Sequence, residues 1–176
     1  MAAIETPEVT IGWQAKAFHL PSVDGNSYSL SEVMGENGLW VMFICNHCPY
    51  VKKQIKHIDD VANKLQGAGV GVVAINANDA DNYPEDSFDN MQRYAGEQGL
   101  SFQYLHDETQ EVARAYDAVC TPDFFGFAAD GSLQYRGRLT DDSGNDELLP
   151  AMLEIAKTGK TDRAQHASIG CSIKWK

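Results

Sequence analysis

This sequence predicts an α/β fold with a central mixed β-sheet flanked by helices, and three observations carry that prediction. Two continuous apolar runs, Leu39-Trp40-Val41-Met42-Phe43-Ile44 and Val70-Gly71-Val72-Val73-Ala74-Ile75, read as strands buried on both faces. Between them Val51, Ile55, Ile58, Ala62 and Leu65 recur at helical spacing up to Gly67. Later in the chain, residues 124–127 and 133–136 flank Asp130-Gly131, a hairpin signal, and an amphipathic helix over 146–157 follows. Strand and helix alternation yields parallel strands, and the hairpin adds antiparallel ones.

The remaining elements follow in order. Residues 17–20 alternate as a short strand, Val23-Asp24-Gly25-Asn26 is turn chemistry, and residues 27–30 return as the second arm of a hairpin. After the second buried strand comes a loop rich in Asn and Asp, then a helix over 87–98 closed by Gly99. Residues 101–105 form a short strand, and residues 109–116 a helix with Asp107 as its N-cap. The chain ends in a polar tail. No repeat, low-complexity stretch or linker divides it, so residues 1–176 are expected to form one domain: a hairpin at about 12–31, a core at about 38–158 and a tail at 159–176.

Twenty-five acidic residues against fourteen basic ones give a net charge of −11. That field repels phosphate backbones and anionic lipid surfaces, which argues against nucleic-acid or membrane partners. The opening residues have neither the basic nor the apolar region of a signal peptide, and no apolar run is long enough to span a bilayer. A soluble, cytoplasmic chain is expected. In a reducing compartment its four cysteines point to catalysis or metal binding more than to structural disulfides.

Cys45-Asn46-His47-Cys48-Pro49 stands where the first buried strand hands over to the helix, at the carboxyl ends of the parallel strands, where ligands of such folds bind. Sulfurs at i and i+3 are near enough to close a small ring. Helix N-terminal N–H groups favour a thiolate there, and a protonated His47 adds to that effect and makes the disulfide more oxidising. Pro49 fits the first helical turn. The competing use of such a pair is half of a zinc site, which usually needs a second pair; Cys120 and Cys171 are isolated from each other, so no metal site and no cofactor are predicted. Thr121-Pro122, directly before the second hairpin, is either an ordinary trans proline at a strand start or a cis bend. Such a bend exposes the Thr121 backbone for strand-like pairing with a bound polypeptide or small disulfide.

The order strand, CxxCP, helix, strand, helix, Thr-Pro, hairpin, helix resembles the thioredoxin superfamily. The segment 12–20, with Asp24-Gly25 and Ser29-Leu30-Ser31, is similar to the lead-in of alkyl hydroperoxide reductase/thiol-specific antioxidant (AhpC/TSA) type proteins, with Ala15-Lys16 where that family has Ala-Pro. The blocks 43–51, 119–125 and 170–175 resemble those of a bacterial thioredoxin-like subfamily. The resemblance implies a thioredoxin-like fold, with Cys45 as the exposed nucleophile, Cys48 as the buried resolving thiol and Thr121-Pro122 as the cis-proline loop. It also aligns Cys48-Pro49 with the Cys-Pro of peroxiredoxins. Cys45 then stands at their Thr position, and the region expected to supply their Arg holds Thr121-Pro122-Asp123, with Arg136 and Arg138 further on.

Three functions follow. The first is a thiol–disulfide oxidoreductase acting on a disulfide or thiol substrate with a thiol electron donor, Cys45 attacking and Cys48 resolving. The second is an antioxidant thiol peroxidase with Cys48 peroxidatic. The third is a carrier of Cu(I) or Zn on Cys45, His47, Cys48 and a further cysteine. Cys120 reads either as a buried free thiol or as a third redox sulfur near the CxxC. Cys171 reads as an accidental thiol or as a resolving one, carried by a tail whose Ile173 and Trp175 need somewhere to dock.

Several features read as background. Gly67-Ala68-Gly69-Val70-Gly71 precedes a strand and is no dinucleotide site. Asp79, Asp81, Glu85, Asp86 and Asp89 read as a solvated acidic face, and His19, His57, His106 and His166 have no evident partner. Lys52, Lys53 and Lys56 read as solvated lysines, with steering of anionic thiols as their functional alternative.

Overall fold

The computed structural model describes residues 3–8 and 10–176. The first element is a short strand, β1 (Ala3–Glu5), followed by the hairpin of β2 (His19–Pro21) and β3 (Ser27–Ser29), paired with Leu20 opposite Tyr28. A single helical turn, α1 (Leu30–Val33), begins in a capping box: Ser29 Oγ accepts the Glu32 N–H, and the Glu32 carboxylate accepts the Ser29 N–H.

β4 (Leu39–Phe43) is buried at all five positions and its side chains alternate between two cores. Trp40 and Met42 join one core with the inner faces of α2 (Pro49–Gly67), α3 (Phe88–Gln98) and α5 (Leu148–Thr158). Leu39, Val41 and Phe43 join the other, under α4 (Glu111–Ala115) and the N-terminal segment. Each such side chain stabilises the fold by roughly 1.5–3 kcal/mol relative to exposure, so β4 anchors the molecule. The sheet runs β6-β5-β4-β8-β9, with β5 (Gly71–Asn76) and β6 (Gln103–His106) parallel to β4, and β8 (Asp123–Phe127) and β9 (Leu133–Arg136) antiparallel. This is the mixed sheet that alternation followed by a hairpin predicts. α3 starts on an N-cap at Ser87 and stops at Gly99, whose left-handed backbone ends the helix.

One expectation is corrected. Asp107 is not an N-cap: α4 starts after Gln110, and the Asp107 carboxylate instead accepts the Ala113 N–H at 2.8 Å, inside the helix. The tail folds back on the body, as the docking needs of Ile173 and Trp175 imply. Its strand β10 (Ile169–Ser172) lies between β1 and the two-residue β7 (Cys120–Thr121) in a second sheet. Ile173 is buried in the second core and donates its N–H to Val119 O, while Trp175 docks under the Arg114 guanidinium at 4.3 Å. No helix among the described residues is long and apolar enough to cross a membrane.

Candidate active site

The carboxyl ends of β4 and β5 form the floor of the site. Cys45 follows β4 by one residue after Ile44, and Asn46 and His47 form the turn into α2. The N-cap of α2 is Cys48, with Pro49 in the first turn as expected. The helix therefore directs its N-terminal N–H groups at Cys48 and not at Cys45, three residues outside it.

Three sulfurs converge here, all as free thiols. Cys48 Sγ lies 2.8 Å from Cys171 Sγ and 3.2 Å from the Thr121 carbonyl, and it is hydrogen-bonded to Cys45. Cys45 Sγ lies 3.3 Å from Thr121 Oγ1. The Thr121-Pro122 peptide is cis and sits against both members of the pair. The exposure expected for Cys45 is not found: it is 1% exposed, and Cys48 is wholly buried. On the Cys48 side the shielding includes β10, whose Cys171 lies against that sulfur.

β10 reaches that position through Gly170, where a Cβ would overlap the Thr121 carbonyl and press on Pro122 N. Cys171 pairs with Thr121 across the two strands, which puts its side chain on the face of Cys48. Thr121 is consequently buried. Its strand edge, expected to be open to a bound polypeptide, is occupied by the chain's own tail.

Ionisation follows the same geometry. A hydrogen bond from Cys45, joined by one from Cys171 and by the Val51 N–H, pulls the Cys48 thiol down to about 4, against the opposing effect of burial. Cys45 moves the other way, because its hydrogen bond to Cys48, its burial and the Asp86 carboxylate all favour its neutral form. Cys171 is pushed up to about 11 by burial and by its contact with Cys48. The negative charge of the cluster belongs on Cys48.

Asp86, read from sequence as part of a solvated face, is fully buried and organises the turn. Its Oδ1 accepts the Asn46 N–H at 2.7 Å and Asn76 Nδ2 at 3.2 Å, and its Oδ2 accepts Asn78 Nδ2 at 2.9 Å. His47 Nδ1 stands 2.6 Å from Oδ2, an electrostatic contact without hydrogen-bond alignment. Tyr104 Oη donates to Asn46 Oδ1 at 2.7 Å and extends the network under the sheet end. Asp79 is also buried, because its N–H donates to Lys174 O in the docked tail. Sequence reading misses Asp86, Asn46, Asn76, Asn78 and Tyr104. Two asparagines at i and i+2, ending a buried strand, were the available signal.

Cys45 Sγ, a His47 ring nitrogen and an Asp86 oxygen lie within 4.8 Å of one another, a thiolate, imidazole and carboxylate set of the kind that binds zinc. Both Asp86 oxygens are already engaged by the amide donors of Asn46, Asn76 and Asn78. Cys120 is buried on the face of β7 opposite Thr121, and its sulfur meets Pro122 O at 3.5 Å. Neither downstream arginine reaches a sulfur: Arg136 pairs with Asp123 at 2.9 Å and donates to Asp117 O, and Arg138 pairs with Glu147 at 2.7 Å. Two of the histidines read as partnerless are paired as well, His57 with Asp146 at 2.6 Å and His166 with Glu147 at 3.2 Å.

A family model described as the AhpC/TSA family matches residues 11–136. The crystal structure of an uncharacterized conserved protein from Geobacillus kaustophilus is 46% identical, with a TM-score of 0.92 over 100% of this chain and 97% of that one. A protein of Mycobacterium tuberculosis, described as a candidate peroxiredoxin, is 26% identical and covers 88% of this chain and 92% of its own length. The thioredoxin domain of a thiol-disulfide oxidoreductase from Bacteroides vulgatus aligns with a TM-score of 0.65 at 14% identity, over 88% of this chain and 100% of that domain. The fold is thioredoxin-like.

Proposed function

We propose, from the premise that this chain belongs to the AhpC/TSA family, that it is a thiol–disulfide oxidoreductase working on small disulfides with the Cys45–Cys48 pair. The observation that carries this reading is the convergence of the Cys45 and Cys48 sulfurs on Thr121 of the cis Thr121-Pro122 peptide, with the Cys48 thiol pulled down by its hydrogen bond from Cys45. Cys45 attacks one sulfur of the substrate disulfide as its proton passes to the Cys48 thiolate. A Cys45 mixed disulfide forms and one substrate thiolate departs, taking that proton from Cys48. The regenerated Cys48 thiolate then attacks Cys45 Sγ. This releases the second substrate thiolate, which is protonated by solvent, and leaves the Cys45–Cys48 disulfide. An external thiol donor returns the pair to the dithiol in the cytoplasm. Because both sulfurs are shielded and the Thr121 edge is occupied, a small disulfide fits better than a polypeptide, and attack requires local opening of the 45–48 turn.

The test is disulfide turnover with a thiol donor and thiol-trapping mass spectrometry. Cys45→Ser reduces turnover to background, whereas Cys48→Ser accumulates the mixed disulfide on Cys45. A Cys45→Ser protein that still turns over the disulfide overturns the assignment.

The depressed Cys48 thiol also favours a second reading, peroxide reduction. The Cys48 thiolate attacks a peroxide oxygen, a hydroxide or alkoxide leaves and is protonated, and the Cys48 sulfenic acid condenses with Cys45 or Cys171 to give a disulfide and water. Rapid peroxide consumption that is lost in Cys48→Ser supports this reading, and its absence removes it.

A further inference from the structure

Beside the cysteine turn, α2 and α3 border an open groove of about 690 Å³, within the size range of small-molecule sites. Its inner wall is Asn46 and His47 of the turn itself. Lys52, Lys53 and Lys56 of α2 and Arg93 of α3 line its mouth. The lysines are exposed and none takes part in an ion pair among the described residues, although the chain carries −11 overall. Two lining acids, Glu85 and Glu97, leave the cations in excess. Solvated lysines alone would carry nothing. The second observation is Tyr94, also in the wall: it is 8% exposed, and its hydroxyl is buried with no hydrogen-bond partner among the described residues. An unmatched buried hydroxyl is unfavourable and marks a place where a bound molecule supplies the missing acceptor. Burial, with charge on Cys45 and Cys48 adding to it, pushes the Tyr94 hydroxyl up to about 12.

We infer that this groove binds the oxidoreductase's substrate, and that the substrate is a carboxylate-bearing, low-molecular-mass disulfide or its thiol. The carboxylates rest on Lys52, Lys53, Lys56 and Arg93, and the opening of the 45–48 turn that attack on Cys45 requires brings the substrate sulfur to the buried Tyr94 hydroxyl, which donates to it. This inference rests on the thiol–disulfide reading and names the substrate class of that site. Positive charge in the mouth of a low-dielectric cleft raises the local concentration of an anion and weakens with salt.

Three disulfides of similar length separate the cases: 3,3′-dithiodipropionate (anionic), bis(2-hydroxyethyl) disulfide (neutral) and cystamine (cationic). Wild-type protein is expected to turn over the anionic probe with at least tenfold higher kcat/KM than cystamine, and the Lys52→Glu/Lys56→Glu variant to erase that preference. Tyr94→Phe is expected to lower kcat/KM for the anionic probe while leaving the unfolding midpoint unchanged or higher. The thioether 3,3′-thiodipropionate, which cannot be reduced, is titrated by calorimetry in parallel. Binding that disappears in the lysine variant supports the groove assignment even without turnover of any disulfide, an outcome that removes only the redox reading. Turnover of the three probes with equal efficiency, or no thioether binding, overturns the inference and leaves the redox reading standing.

Discussion

Two buried carboxylates flank the sulfur cluster and are balanced in opposite ways. Asp123, at the start of β8, meets a permanent cation: both of its oxygens bond the Arg136 guanidinium, at 3.2 and 2.9 Å, and Oδ2 also accepts the Val119 N–H. Burial pushes the Asp123 carboxyl up while those bonds hold it down, and the guanidinium cannot lose its proton. Asp86 meets no fixed cation. Its charge is spread over two asparagine side chains and one backbone N–H, with the titratable imidazole of His47 alongside. The Asp123 pair locks the end of the cis-proline loop. Asp86 is a lighter anchor, holding the turn that carries Cys45 and Cys48 through hydrogen bonds. Where the fold needs rigidity the charge is closed off by a fixed cation, and at the cysteine turn it meets neutral amide donors and is left adjustable.

The contrast breaks most sharply at the locked pair. Asp123→Ala leaves Arg136 charged and buried, and is expected to cost ~3–5 kcal/mol of stability by denaturant unfolding; a loss below ~1 kcal/mol would make the two carboxylates equivalent. Next comes the seam between β10 and the cis-proline loop. Gly170→Ala pushes β10 away from Thr121 and is expected to cost ~1–3 kcal/mol, with faster alkylation of Cys171; unchanged Cys171 reactivity would show that the strand is not held there by close approach.

The adjustable side is read by titration. Cys48 has its folded-state pKa depressed, so one thiolate per chain is expected to persist as pH falls until it is protonated through about pH 4. Ultraviolet thiolate absorbance reports this, and the signal is absent in Cys48→Ser. Asp86→Asn removes a negative charge that holds the Cys45 proton on, so the Cys45 pKa falls. Alkylation of Cys45 at neutral pH is then expected to quicken, by about tenfold for every ~1.4 kcal/mol of repulsion removed. Slower alkylation would invert the role given to Asp86. The smallest effect belongs to Ser87→Ala, which removes the N-cap of the helix carrying Tyr94 and is expected to cost ~1 kcal/mol, seen as a modest drop in midpoint.

The residues themselves disclose the two cores, the parallel strands, the CxxCP turn and the neighbouring Thr-Pro, because hydrophobic periodicity and turn chemistry are local properties. Leu39 to Phe43 needs no partner to look like a doubly buried strand, and Ser87 and Gly99 mark their helix ends by conformational preference alone. Ionisation order, access and the roles of distant residues are not local. Whether Cys45 or Cys48 holds the charge depends on which sulfur accepts the hydrogen bonds of the other and of Cys171, and then on where α2 begins. Asp86 turns from surface acid to buried anchor only because Asn46, Asn76 and Asn78 fold around it. Cys171 meets Cys48 because Gly170 permits two backbones to approach and Ile173 finds a core to enter. Such contacts are free-energy terms between segments as much as 123 residues apart, and tertiary packing alone decides them.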